Sequence, residues 1–240
     1  MANPMPPYIR AATISDPVIR YVWDDTRATD DVAEVSEDLP DRARPLTVRA
    51  KIALGIGIYQ WLIWRFAPVL SDPFPFQLEE AAWCANADLR YMAYFEIARE
   101  DWLGPVRGPL WCAITWLVPM IFEADLKDST WESGLVMLAD LANHVLPRRE
   151  PYQEWLEFCL QRLLTLYNQP APDPFEDLFN ARREQRRGPL VAREVLNPEF
   201  DYHPEQAHGL LLRYLAGVSP GTNPLIRTPE AMREDGFSGI

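Results

Sequence analysis

From Thr47 to Phe66 almost every position of the chain is apolar, and no polar face interrupts the run "IALGIGIYQWLIW" between Ile52 and Trp64. Such a pattern predicts a helix capped by Thr47, ending near Phe66 and buried on all sides. Pro68, Pro73 and Pro75 close it and open the next element. From about Pro75 to Arg99 the apolar positions Ala81, Ala82, Cys84, Ala85, Met92, Phe95 and Ile97 alternate with acids and arginines, which predicts an amphipathic helix. A third helix, apolar on most faces, is expected from about Pro109 to Phe122. Ser129 followed three residues later by Glu132 fits a capping box for a fourth helix ending near Val145. Pro151 opens a fifth, in which Trp155, Phe158, Cys159, Arg162, Leu163 and Leu166 recur at three- and four-residue steps. Asp173 and Pro174 start a sixth, short helix that runs into the basic patch "ARREQRRG". The patch suits the negative end of a helix dipole. After a short extended piece, a seventh runs from about Pro204 to Ala216, and Thr228 with Pro229 starts one last turn. No repeat and no strand alternation is found. The expectation is a mainly α, single-domain bundle of about seven helices over residues 46–240, with an irregular acidic arm over 1–45 and a proline-rich C-terminal region.

Composition sharpens this picture. With 240 residues, 48% of them hydrophobic, the chain can bury a large core. Its 23 prolines against 11 glycines imply stiff connections between helices. The 13-residue apolar run is shorter than the roughly 20 residues a bilayer span needs, so it reads as a core helix. "MANPMPPYIR" has prolines where a secretory leader has its apolar stretch. Cys84, Cys112 and Cys159 are odd in number, widely spaced and set in apolar surroundings, as expected of free thiols in a cytoplasmic protein.

Charge adds a partner class. The net charge is −12, and an acidic surface repels phosphate backbones and steers toward basic partners. Over half of that charge lies between Asp24 and Asp41. There Asp24, Asp25, Asp30, Asp31, Glu34, Glu37, Asp38 and Asp41 face one base, Arg27. The run is either a solvated mobile segment or a contact surface for a cationic protein. The preceding "TISDPVIRYVW" is expected to form a short strand or an anchoring arm, with Val18, Tyr21 and Trp23 docking on the body.

Candidate chemistry is sparse. No G-x-S-x-G elbow and no phosphate loop ending in Gly-Lys-Ser/Thr occurs. His144 sits near a helix end, where capping is its expected role. His203 and His208, with Asp201, lack the spacing of a metal motif. "WDDTRATDD" has the wrong spacing for carboxylates converging on magnesium. "LEE" at Leu78–Glu80 opens a helix, where acids are favoured anyway. No catalytic, metal or cofactor set emerges. The stretch "DWLGPVRGPLWC" from Asp101 to Cys112 remains, with two glycines, two prolines and Arg107. Pro105 and Pro109 each remove an amide that a phosphate cradle needs. The stretch therefore reads as a corner: Gly104 ends the second helix, Pro109 starts the third, and Trp102, Trp111 and Trp116 bury the turn.

The segment "PFPFQLEEAAWCANADLRYMAYFEIAREDWLGPVRGPLWCAITWLVP" resembles proteobacterial helical proteins encoded beside toxic effectors of the type VI secretion system. The resemblance covers roughly residues 46–190. It is clearest at Trp83, Cys84, Asn86, Asp88, Tyr91, Trp102, Gly104, Gly108, Pro109, Trp111 and Cys112. It implies an immunity protein, of the kind paired with a restriction-endonuclease-like nuclease toxin, and hence a non-enzymatic cytoplasmic binder. The acidic arm lies outside the matched pattern. Assigning Asp24, Asp25, Asp30, Asp31, Glu34, Glu37 and Asp38 to the toxin-facing surface follows from charge alone. The alternatives are a small helical hydrolase built on acids and Arg107 and acting on a phosphorylated or sugar substrate, and an adaptor or chaperone that loads an effector.

Overall fold

Helix α3 (Val48–Phe66) runs through the middle of the molecule, and all of its residues except Val48 and Trp64 are buried. In the computed structural model, which describes residues 4–27, 30, 32–169 and 187–240, nine α-helices surround or form this core. They are α1 (Pro7–Ala12), α2 (Leu39–Ala43), α3, α4 (Phe74–Ala87), α5 (Gly104–Glu123), α6 (Asp128–Val145), α7 (Glu150–Leu166), α8 (Ala207–Gly217) and α9 (Pro229–Glu234). Among the described residues the extended pairings are two isolated antiparallel bridges, Leu46 with Asn168 and Met92 with Ile226. The mainly α single body matches expectation. The count exceeds seven because α1 and α2 form inside the stretch read as irregular and the last turn is a helix. The expected sixth helix falls outside the described residues.

Several boundaries follow the expected chemistry. Thr47 accepts a hydrogen bond from the Ala50 amide at 3.3 Å, and Thr228 does the same for Ala231 at 3.2 Å. Cys84, Cys112 and Cys159 are free and buried. By length and composition α3 and α5 would also suit a bilayer span, but α3 is enclosed by α4, α5, α6 and α7. At its far end an aromatic cluster closes the core. Tyr8 stacks on Trp155 at 5.5 Å, and Trp61 meets Tyr152 edge-on at 5.6 Å. Such pairs contribute about 0.5–1.5 kcal/mol each beyond their burial.

Three expectations fail. The second helix stops at Ala87 instead of reaching Arg99. Asp88 turns extended and its carboxylate accepts from the Arg90 amide at 2.9 Å, a side-chain bond that competes with the next helical turn. Beyond it the backbone pairs with the C-terminal region, Ala93 N–H to Leu225 C=O at 2.8 Å and Arg227 N–H to Tyr91 C=O at 2.9 Å. The capping box at Ser129 does not form: α6 starts at Asp128, and Glu132 instead meets Arg44 at 3.0 Å. Gly104 does not end a helix but begins one, at φ +86°, and Pro109 lies inside α5.

Candidate functional site: an anchored acidic strap and a polar cavity

The corner at Asp101–Cys112 is occupied by the N-terminal stretch itself. Pro109 has no N–H for the carbonyl four residues back, and the hydroxyl of Tyr21 donates to that carbonyl, Pro105 C=O. Asp25 accepts the Gly104 amide at 2.7 Å, so it supplies the first turn of α5 with an anionic partner. Its other oxygen accepts Trp23 Nε1–H at 2.8 Å, and Arg99 donates to its carbonyl. Gly108 is glycine for the same reason. A Cβ there would lie 2.6 Å from Asp25 Oδ1 and nearer still to Trp23 Nε1.

Further anchors continue along the strap. Arg65, 1% exposed at the end of α3, donates to the carbonyls of Asp16, Val18 (2.8 Å) and Val145 (3.0 Å). His144 pairs with Val22 C=O at 2.8 Å and packs edge-on against Tyr21. The buried carboxylate of Asp140 in α6 accepts the Val35 amide at 3.1 Å. Charge-assisted bonds of this kind contribute about 1.5–3 kcal/mol each. Tyr21 and Trp23 dock as expected. Val18 does not dock through its side chain, which is half exposed, because its carbonyl is what the body holds.

The seven acids proposed as a contact surface therefore divide. Asp25 is half-buried and serves α5, so it is removed from the partner-facing set. Asp24 is exposed and accepts both the Thr26 hydroxyl and amide, which hold its carboxyl below the usual range. Asp30 is exposed beside Arg27 at 3.2 Å, and Asp38 is exposed 3.6 Å from Arg42. Glu34 and Glu37 are exposed. Asp31 lies outside the described residues. Between the anchors Val22 and Val35 point outward, 67% and 55% exposed.

The other candidates resolve into framework. Arg107 pairs with Asp72 at 2.8 Å and lies over the Trp102 ring. His203 sits 3.4 Å from Asp201 on an exposed face. Among the described residues no group of three or more His, Cys, Asp and Glu side chains converges as a metal site would. Trp83, Cys84, Asn86, Asp88, Tyr91, Trp102, Gly108, Pro109 and Cys112 are buried, and Gly104 and Trp111 are half-buried. Asn86 donates to Arg49 C=O at 3.2 Å, and Arg49 in turn donates to the Asn86 and Ala87 carbonyls at the end of α4.

One feature goes beyond the candidates named from the sequence. Glu79 is not a first-turn acid of α4 but lies beyond that turn, 2% exposed. Gln60 donates to its carboxylate at 2.7 Å, and Tyr8 donates to Gln60 at 2.9 Å. This chain lines a cavity of about 270 Å³ together with Trp64, Arg193, Asn197 and the Pro4–Pro7 stretch. The polar Gln60 inside an apolar helix was the signal that could have found it. Its partner across the fold was not readable.

Comparison with known protein families, characterised proteins and solved structures gives no match for the chain.

Proposed function

We propose that this protein binds and neutralises a secreted antibacterial toxin with a basic, nucleic-acid-cleaving site, acting in the cytoplasm without catalysis of its own. The observation that carries this reading is the strap. An acidic segment is tied to the body at Tyr21, Trp23, Asp25 and Val35, while Asp24, Asp30, Glu34, Glu37 and Asp38 face solvent.

A strap already held in place has little freedom left to lose on binding, which favours affinity. Its acids match the cationic groups with which a nuclease cleft holds phosphates, and they accelerate encounter. Val22, exposed within the acidic rim, provides an apolar contact of the kind that gives an interface its strength. The resemblance over residues 46–190 supports the same role, and occupation of the toxin's cleft is the mode of inhibition that the charge favours.

Co-expression tests the reading. A bacterial culture producing the toxin encoded beside this gene should survive when this chain is also made. Equal killing in both cultures would end the idea.

A further inference from the structure

Of the eight large hydrophobic side chains exposed among the described residues, five gather around the start of α5 and the end of α3: Val18, Val22, Val69, Leu103 and Tyr94. The contacts beneath them draw them together. Arg65 near the end of α3 holds Val18 C=O, Tyr21 packs on Phe66 and reaches Pro105, and Val69 follows Phe66 by three residues. Leu103 precedes Gly104, whose amide Asp25 accepts. Phe74 is met edge-on by Phe95 at 5.3 Å and by Trp102 at 5.6 Å, so Tyr94 and Leu103 flank the same ring cluster. Tyr94 is 85% exposed, yet it is held. Its hydroxyl donates to Glu96, the amide before it donates to Leu225 C=O at 2.8 Å, and the ring after it packs on Phe74. An aromatic side chain fixed in solvent forgoes its own burial and has little entropy left to lose against a partner.

We infer that this face anchors the basic protein partner, with Tyr94 and Leu103 giving the complex its lifetime. This rests on the function proposed above and moves the strength of binding off the strap, onto the 94–103 segment. Charge names the partner. The bases of this face are committed within the molecule: Arg20 to Asp16, Arg99 to the Asp25 carbonyl and Arg107 to Asp72. Glu100 and Asp101 are exposed and, among the described residues, lie in no ion pair. What the face offers a partner is therefore apolar side chains beside uncompensated negative charge. An apolar centre with a charged margin is the build of a protein interface in which a few anchors carry the affinity. An arginine of a basic partner suits this place, because its planar guanidinium stacks on a tyrosine ring while pairing with carboxylates at the margin.

The test is surface plasmon resonance of the full chain against the toxin encoded beside this gene. Tyr94→Ala should speed dissociation by about 10-fold or more and leave the association rate nearly unchanged. Leu103→Ala should speed it several-fold. Leu212→Ala, at an exposed apolar position of α8 outside this face, should match wild type. Circular dichroism checks each fold, and Tyr94→Ala carries the test if Leu103→Ala, beside the start of α5, does not fold. Failure of wild type to bind the toxin would overturn the proposed function and this face together. A complex that forms, and that dissociates from both folded variants at the wild-type rate, would overturn this face alone. Sedimentation showing a dimer of this chain that Tyr94→Ala splits would assign the face to a second copy instead.

Discussion

The hydroxyl of Tyr21 completes a helix from which it is 84 residues distant, by donating to the Pro105 carbonyl that Pro109 leaves open in α5. Removing the hydroxyl strands that acceptor. Tyr21→Phe should therefore lower stability by about 1 kcal/mol in urea unfolding. In a Pro109→Ala background residue 109 has an N–H of its own, and the same change should be nearly neutral. Equal losses in both backgrounds would show that the hydroxyl acts elsewhere.

Gly108 admits the strap by lacking a side chain. In Gly108→Ala the new methyl collides with Trp23 and Asp25, and the part that can yield is the strap, not the helix. Amide exchange should speed up across residues 14–27 while the amides of α3 keep their protection. Uniform loss of protection would mean that the collision unfolds the body instead.

Arg65 holds three carbonyls from two separated segments, and burial pushes its guanidinium below the usual range. Arg65→Met fills a similar volume but leaves those carbonyls without their donor. A loss of about 3 kcal/mol or more is expected in denaturant unfolding, with the strap freed first. A change under about 1 kcal/mol would assign the anchoring to the other contacts.

Lys51 is buried over the Trp131 ring, and burial pulls its ammonium down to about 8 from an ordinary 10.5. Below pH 8 the group is charged in both states, and the fold carries the cost of burying it. Between about 8 and 10.5 the unfolded chain keeps its proton while the folded chain releases it, so this group's contribution to stability improves as pH rises. Near neutral pH, Lys51→Met should be more stable than wild type by about 1 kcal/mol. That gap should close toward pH 10.5. Parallel urea midpoints for the two proteins across this range would refute the assignment.

The strap's exposed acids should act mainly on the rate of association. Changing Asp24, Glu34 and Glu37 together to Lys should slow binding to the toxin by about 10-fold or more at low salt, an effect that shrinks as ionic strength rises. Val22→Asp should act instead on dissociation, measured by surface plasmon resonance. A triple variant that binds at the wild-type rate would move the interface off the strap.

Much of this fold was legible because its signals are local. The apolar run after Thr47, Pro151 in the first turn of α7 and the Thr228 cap each report on a few neighbouring residues, and a helix start is decided by those neighbours. Where reading failed, the deciding partner was remote. The second helix breaks at Asp88 and does not resume, because residues 91–93 find backbone partners at 225–227. The glycines and prolines of the corner have the local signature of a turn. They in fact prepare a surface for Tyr21, Trp23 and Asp25, which lie some 80 residues earlier.

Taken alone, the amino-acid order determined a helical body, the buried thiols, the central position of α3 and the acidity of the N-terminal stretch, since hydrophobic periodicity and net charge are properties of the chain. Only tertiary structure decided which of those acids remain available and which cap a helix. It also decided that Glu79 and Gln60, on different helices, meet beneath Tyr8 to line a cavity. Burial and hydrogen-bond partnership belong to pairs of residues, and pairs distant along the chain are brought together by packing.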